Sequence, residues 1–135
     1  MNLETLFCYY GYMKLLLTSS GLANRTIVNA FNEMVGKSPS DTKIAFIPTA
    51  AHGEKGNKDW VINQMLNLWR RGYNWIDIVD PSVAGIDWCS RLDEADVICM
   101  SGGNTFYLLD QARKTGFADW LRQNLESKVY VGGSA

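Results

Sequence analysis

At 135 residues, with 47% hydrophobic and 20% charged residues and a formal net charge of -1, the chain can bury one core and is too short for two domains. The balanced charge leaves no basic surplus to neutralise phosphates, which excludes electrostatically driven nucleic-acid binding. No apolar run approaches the roughly 20 residues that span a bilayer, so no membrane partner is expected. Cys8, Cys89 and Cys99 show neither metal-ligand nor redox spacing, and an odd, unpatterned set reads as reduced thiols in a cytoplasmic protein.

Residues 1–12 (MNLETLFCYYGY) carry an apolar patch without the positive start or small-residue cleavage site of a signal peptide. They read as an N-terminal extension whose native status the sequence leaves open, and residues 13–135 read as one domain. Short apolar runs closed by turn residues then recur at 14–19 (KLLLTS), 43–49 (KIAFIPT), 75–80 (WIDIVD), 96–100 (DVICM) and 128–131 (KVYV), each with the signature of a buried strand. Helical periodicity lies between them. Ile27, Ala30, Phe31 and Met34 form one stripe, stopped by Gly36, and Val61, Met65, Leu68 and Trp69 form a second, stopped by Gly72. A short helix is expected over 88–94. Phe106, Leu109 and Ala112 form the next stripe, followed after Gly116 by Phe117, Trp120, Leu121 and Leu125. The Trp and Tyr residues read mainly as packing.

Alternating strands and helices predict an α/β fold, three layers α/β/α around a mostly parallel sheet. In such sheets ligands bind beyond the C-terminal strand ends. Two of the segments found there stand out. Ser101-Gly102-Gly103-Asn104-Thr105 places two glycines before a helix, where bare backbone N–H groups suit an anion or an oxyanion; a tight turn with Asn104 or Thr105 capping the helix accounts for the same residues. Gly132-Gly133-Ser134-Ala135 comes after the fifth strand and has the small residues of a sharp bend presenting a serine; a Gly-rich loop with a hydroxyl cap is the plainer reading.

Together, Gly102, Gly103, Asn104, Thr105, Phe106, Leu108 and Leu109, with Gly132, Ser134 and Ala135 after them, resemble peptidase family S51, the dipeptidase E and cyanophycinase-like serine peptidases. The resemblance runs from Lys14 to Ala135. It implies a flavodoxin-like fold of the class I glutamine amidotransferase kind, incomplete at the C-terminus here. It further implies a serine-type peptidase acting on small peptides, with Ser134 as nucleophile and the backbone N–H groups of Gly103 and Ala135 as oxyanion hole. Asn104 and Thr105 would lie beside the substrate, and no metal or cofactor is implied. In the family the histidine and the acidic residue come after the nucleophile, so residues 13–135 would be the N-terminal part of the peptidase domain, inactive alone, and loss of the remaining strands would expose a sheet edge. Dipeptidase E proper has a large aromatic residue just before the nucleophile. Gly133 stands here instead, and strict aspartyl-dipeptide specificity is not carried over. His52 and Asp80 follow strands that end on the same edge as Ser134, but family order argues against a catalytic role, and His52 is read as a surface loop histidine or a substrate contact. The competing readings are a flavodoxin-like module holding a phosphate or nucleotide at a helix N-terminus, and a noncatalytic relative.

Overall fold

The five apolar runs become five strands: β1 (Lys14–Leu17), β2 (Lys43–Ile47), β3 (Trp75–Ile78), β4 (Val97–Met100) and β5 (Val129–Gly132). The structure is a computed structural model that describes residues 13–133. The strands form one sheet in the order β1-β5-β4-β2-β3, every neighbouring pair parallel. Val97 sits at the same level as Ile44 on one side and Val129 on the other, so the strands end together along one edge.

Side chains alternate across the sheet, as the period of two requires. Ile44, Phe46, Val97, Cys99, Val129 and Val131 face one layer, built by α1 (Arg25–Val35) and α3 (Asp59–Arg70). Ala45, Ile47, Ile98 and Met100 face the other, built by α4 (Trp88–Glu94), α5 (Thr105–Thr115) and α6 (Phe117–Asn124). This is the expected α/β/α arrangement, with helices covering both faces of a parallel sheet.

Local signals set most of the boundaries. Asn24 caps α1 by accepting from the Ile27 N–H, and Gly36 ends it at φ 67°, a conformation costly for residues with a Cβ. The buried face of α1 is Val28, Phe31 and Met34; Phe31 and Met34 belong to the stripe read in the sequence, and Ile27 is partly buried beside them. In α3, Val61 and Leu68 are buried as expected, whereas Trp69 is exposed.

The α5 stripe is the clear departure. Phe106 is 86% exposed and Leu109 is also exposed, while Ala112 of the same stripe packs against the core as expected, joined there by Leu108. Asn104 caps the start of α5, and the face that packs on the core carries Leu108 and Ala112, which leaves Phe106 outward. The strand preceding Ser134 does lie inside the sheet, as anticipated, since β5 is flanked by β1 and β4. Among the described strands the open edges are β1 and β3, where Leu17 and Ile78 are exposed.

The chain reverses its winding between β2 and β4. From β2 it runs through α3 on one face to β3; from β4 it runs through α5 and α6 on the other face to β5. This is the switch point of the sheet, where a crevice opens beyond the strand ends. The central strands carry the stability: Phe46→Ala, at a wholly buried position, is expected to cost about 3–5 kcal/mol in urea unfolding, whereas Leu17→Ala at the open edge stays within about 0.5 kcal/mol.

Candidate active site

Three strand ends meet at the crevice. After β2, Pro48 leads into a single helical turn, α2 (Thr49–His52), where the sequence suggested a loop. After β4, Ser101 donates its N–H to Ile47 O at 3.0 Å, extending the β4–β2 pairing by one residue. The next residues turn across the α2 backbone. Gly103 has φ 141°, and a Cβ there would stand 2.3 Å from both the carbon and the oxygen of the Ala50 carbonyl. Asn104 N–H donates to that oxygen at 2.9 Å, and its side chain accepts from Tyr107 N–H at 2.9 Å to cap α5. Gly53 is bound by the same packing, since a Cβ there would meet the Asn104 and Tyr107 side chains below 3 Å.

The end of β5 closes on this loop. Gly133 N–H donates to Met100 O at 3.1 Å, and a Cβ on Gly133 would lie 3.0 Å from Gly102 N. The two glycine segments singled out in the sequence are therefore adjacent. The N–H groups of Gly102 and Gly103 have no hydrogen-bond partner among the described residues. Asn104 is the helix cap, and Thr105 is exposed at the first position of α5. Ser134 and Ala135 lie outside the described residues. The N–H pair ahead of a helix N-terminus, beside the end of β5 after which Ser134 follows in the sequence, can receive negative charge.

One strand further along, Asp80 is 6% exposed. Its Oδ1 accepts from Thr49 Oγ1 at 2.7 Å, Ser82 Oγ at 2.6 Å and Ser82 N at 2.9 Å. His52 Nδ1 lies 2.7 Å from Oδ2, which takes no other contact from the described residues. Burial pushes the Asp80 carboxyl up, but the hydrogen bonds from Ser82 and Thr49, with the nearby His52, bring it below the usual carboxylate range. His52 is thus no free loop histidine; its ring is tied to the end of β3. The buried Cys99 thiol is pushed up to about 12 by burial, which disqualifies it as a nucleophile. No cluster of metal-ligating side chains occurs among the described residues.

Sequence reasoning located both glycine segments and missed two features. One is the support of Asp80, to which Ser82 bonds locally but Thr49 and His52 come only once β2 and β3 pair. The other is Gln64 on α3, whose Nε2 lies 2.9 Å from the place a Gly133 Cβ would occupy. The polar residues Asn63, Gln64 and Asn67 at helical spacing were the available signal.

A family model for Peptidase family S51 matches residues 15–135. An uncharacterized peptidase of Pasteurella multocida is 31% identical over 125 residues, which cover 91% of this chain and 58% of that protein. Peptidase E of Streptomyces coelicolor is 29% identical over 126 residues, covering 91% of this chain and 49% of the relative. The chain thus spans about half the length of the curated relatives it matches. Among solved structures, a putative peptidase E protein from Listeria monocytogenes superposes with a TM-score of 0.77 at 29% identity, over 90% of this chain and 59% of that one. A peptidase from an acI-B1 actinobacterium, at 23% identity and a TM-score of 0.65, covers 94% of this chain and 56% of its own, and shares the fold.

Gly103→Ala must displace the α2 backbone as well as adopt an unfavourable φ, and is expected to destabilise by about 2–5 kcal/mol in chemical denaturation. Asp80→Asn is expected to cost about 1–3 kcal/mol at pH 7. Because the folded carboxyl titrates below its unfolded value, Asp80 stabilises the fold above about pH 4 and that contribution is lost as pH falls further. The gap between wild type and Asp80→Asn should therefore close below about pH 4; a gap independent of pH would show that the charge contributes nothing.

Proposed function

The chain belongs to peptidase family S51, and on that premise we propose that it supplies the nucleophile and oxyanion hole of a serine peptidase acting on small peptides. Residues 13–135 are then the N-terminal part of one peptidase domain of a cytoplasmic enzyme, and the general base and its acidic partner come from sequence after Ala135. Ser134 Oγ attacks the peptide carbonyl as a histidine removes its proton. The carbonyl oxygen becomes an oxyanion held by the N–H groups of Gly103 and Ala135. Collapse of the tetrahedral intermediate expels the amine, which takes the proton, and leaves an acyl ester on Ser134. Water then attacks the ester through the same oxyanion site, releasing the acid and restoring the hydroxyl. Asn104 and Thr105 flank the substrate.

The reading rests on one observation: Gly133, the residue before Ser134, packs against Gly102 N while the Gly102 and Gly103 N–H groups stay unclaimed by the described residues. A helix N-terminus with bare glycine N–H groups costs nothing to reorganise when charge develops. The Asp80–His52 pair belongs to neighbouring strand ends and is assigned to holding the α2 turn in place.

A fluorophosphonate probe applied to the protein expressed with its downstream codons should label Ser134, and Ser134→Ala should abolish both labelling and dipeptide hydrolysis. His52→Ala should leave kcat within about threefold, well short of the 100- to 1,000-fold typical for loss of one oxyanion donor. Residues 1–135 alone should show no turnover. Labelling at another residue, or full activity of Ser134→Ala, would reject the assignment.

A further inference from the structure

The glycine loop rests on a single helical turn. Asn104 N–H donates to Ala50 O at 2.9 Å, and Gly103 passes so close that any Cβ would strike the Ala50 carbonyl. Where α2 (Thr49–His52) lies therefore decides where the Gly103 backbone lies. Such a turn does not hold itself. It is far shorter than the roughly 12–15 residues at which an isolated helix becomes even marginally stable, and Pro48 at its N-cap brings no side-chain acceptor.

The tie comes from the end of β3. Val79 N–H donates to Phe46 O at 2.9 Å, and Val83 N–H donates to Asp80 O at 3.1 Å, so the Asp80 backbone is anchored to the sheet and to its own turn. Its buried side chain is braced by Ser82, whose Oγ and N–H both donate to Oδ1. From this position Oδ1 accepts the Thr49 hydroxyl at 2.7 Å, with both residues buried, and Oδ2 lies 2.7 Å from Nδ1 of the half-exposed His52. One carboxylate thus holds the first and the last residue of the α2 turn. The two ties are unequal. A buried hydroxyl bonded to a carboxylate stabilises more than a contact with a half-exposed ring, where water competes. Thr49 is the principal link.

We propose that Asp80, acting through Thr49, is a positioning residue for the oxyanion loop: it fixes the α2 turn on which Gly103 and Asn104 are laid and so governs the acyl-transfer rate without touching the substrate. The proposal rests on the reading of Ser134 as nucleophile and of the Gly103 N–H as oxyanion donor. Such donors stabilise only the position at which they are aimed, and a misplacement of about 1 Å can cost about 100-fold in rate. The weaker His52 tie agrees with the small effect expected of His52→Ala.

The test uses a fluorophosphonate, whose phosphoryl oxygen takes the place of the oxyanion, on the protein expressed with its downstream codons. Thr49→Val keeps the shape of threonine and removes its hydroxyl; Asp80→Ala removes the acceptor. Both should lower the rate constant for phosphonylation of Ser134 at saturating probe by about tenfold or more, with the half-saturating probe concentration within about threefold of wild type. Thr49→Ser, which restores the donor, should keep the rate constant within about threefold. A loss of folded protein changes how much is labelled and not this rate constant, so the readout separates positioning from stability. Thr49→Val, the milder change, decides if Asp80→Ala does not fold. An unchanged rate constant in Thr49→Val, or an equal loss in Thr49→Ser, would overturn the proposal. A second readout needs no reaction. In a ¹⁵N spectrum the Gly103 and Asn104 amide signals should move in Thr49→Val while that of Ile98, within β4, stays. Gly103 and Asn104 signals at their wild-type positions would overturn the clamp. If wild type is not labelled at Ser134, the nucleophile reading fails, and the spectrum still decides whether Asp80 holds the loop through Thr49.

Discussion

The passage of Gly103 over the Ala50 carbonyl is the contact on which the strand-end geometry depends. Any Cβ at 103 would fall 2.3 Å from that carbonyl, so the two backbones lie as close as glycine permits. The Asn104 N–H bond to Ala50 O locks the approach, and the Asn104 side chain then fixes the first turn of α5. With Ser101 tied to Ile47 and Gly133 tied to Met100, the ends of β2, β4 and β5 form one rigid unit. Backbone donors held in this way are oriented by the fold and not by flexible side chains, the condition under which electrostatic stabilisation of a transition state is effective.

The sheet itself was legible because every strand is a short apolar run that ends in turn residues, and the inner strands β2, β4 and β5 alternate between two buried faces. Gly36 and Asn104 marked helix ends for reasons that are local and chemical: left-handed backbone in one case, an acceptor for an orphan N–H in the other. Periodicity failed where tertiary contacts choose among several apolar residues on one helix. In α5, Ala112 is at helical spacing from both Leu108 and Leu109, and only the pairing with Leu108 meets the core, which leaves Phe106 and Leu109 exposed. The α2 turn was read as a loop because four residues are too few to show a period.

The site divides in the same way. Glycine segments are visible in a sequence because glycine is the only residue that fits where backbones nearly touch. The spatial neighbours of those segments are not visible. Gln64 reaches Gly133 from a helix about 70 positions earlier, and Asp80 gathers Thr49, Ser82 and His52 from two strand ends. The Asp80 cluster forms where β2 pairs with β3, and Gln64 meets Gly133 because α3 packs over the sheet at the end of β5, contacts that exist only once the sheet is assembled. Membership of peptidase family S51 agrees with this division: among the residues that carried the resemblance, Gly102, Gly103, Asn104 and Gly132 form or adjoin the close backbone contacts.

The most direct test of the central claim is a crystal structure of the fluorophosphonate adduct. The account places the phosphorus on Ser134 Oγ and the phosphoryl oxygen about 3 Å from Gly103 N, with Asn104 N still bonded to Ala50 O. A phosphoryl oxygen directed away from the Gly102–Asn104 backbone, toward solvent or toward His52, would contradict it.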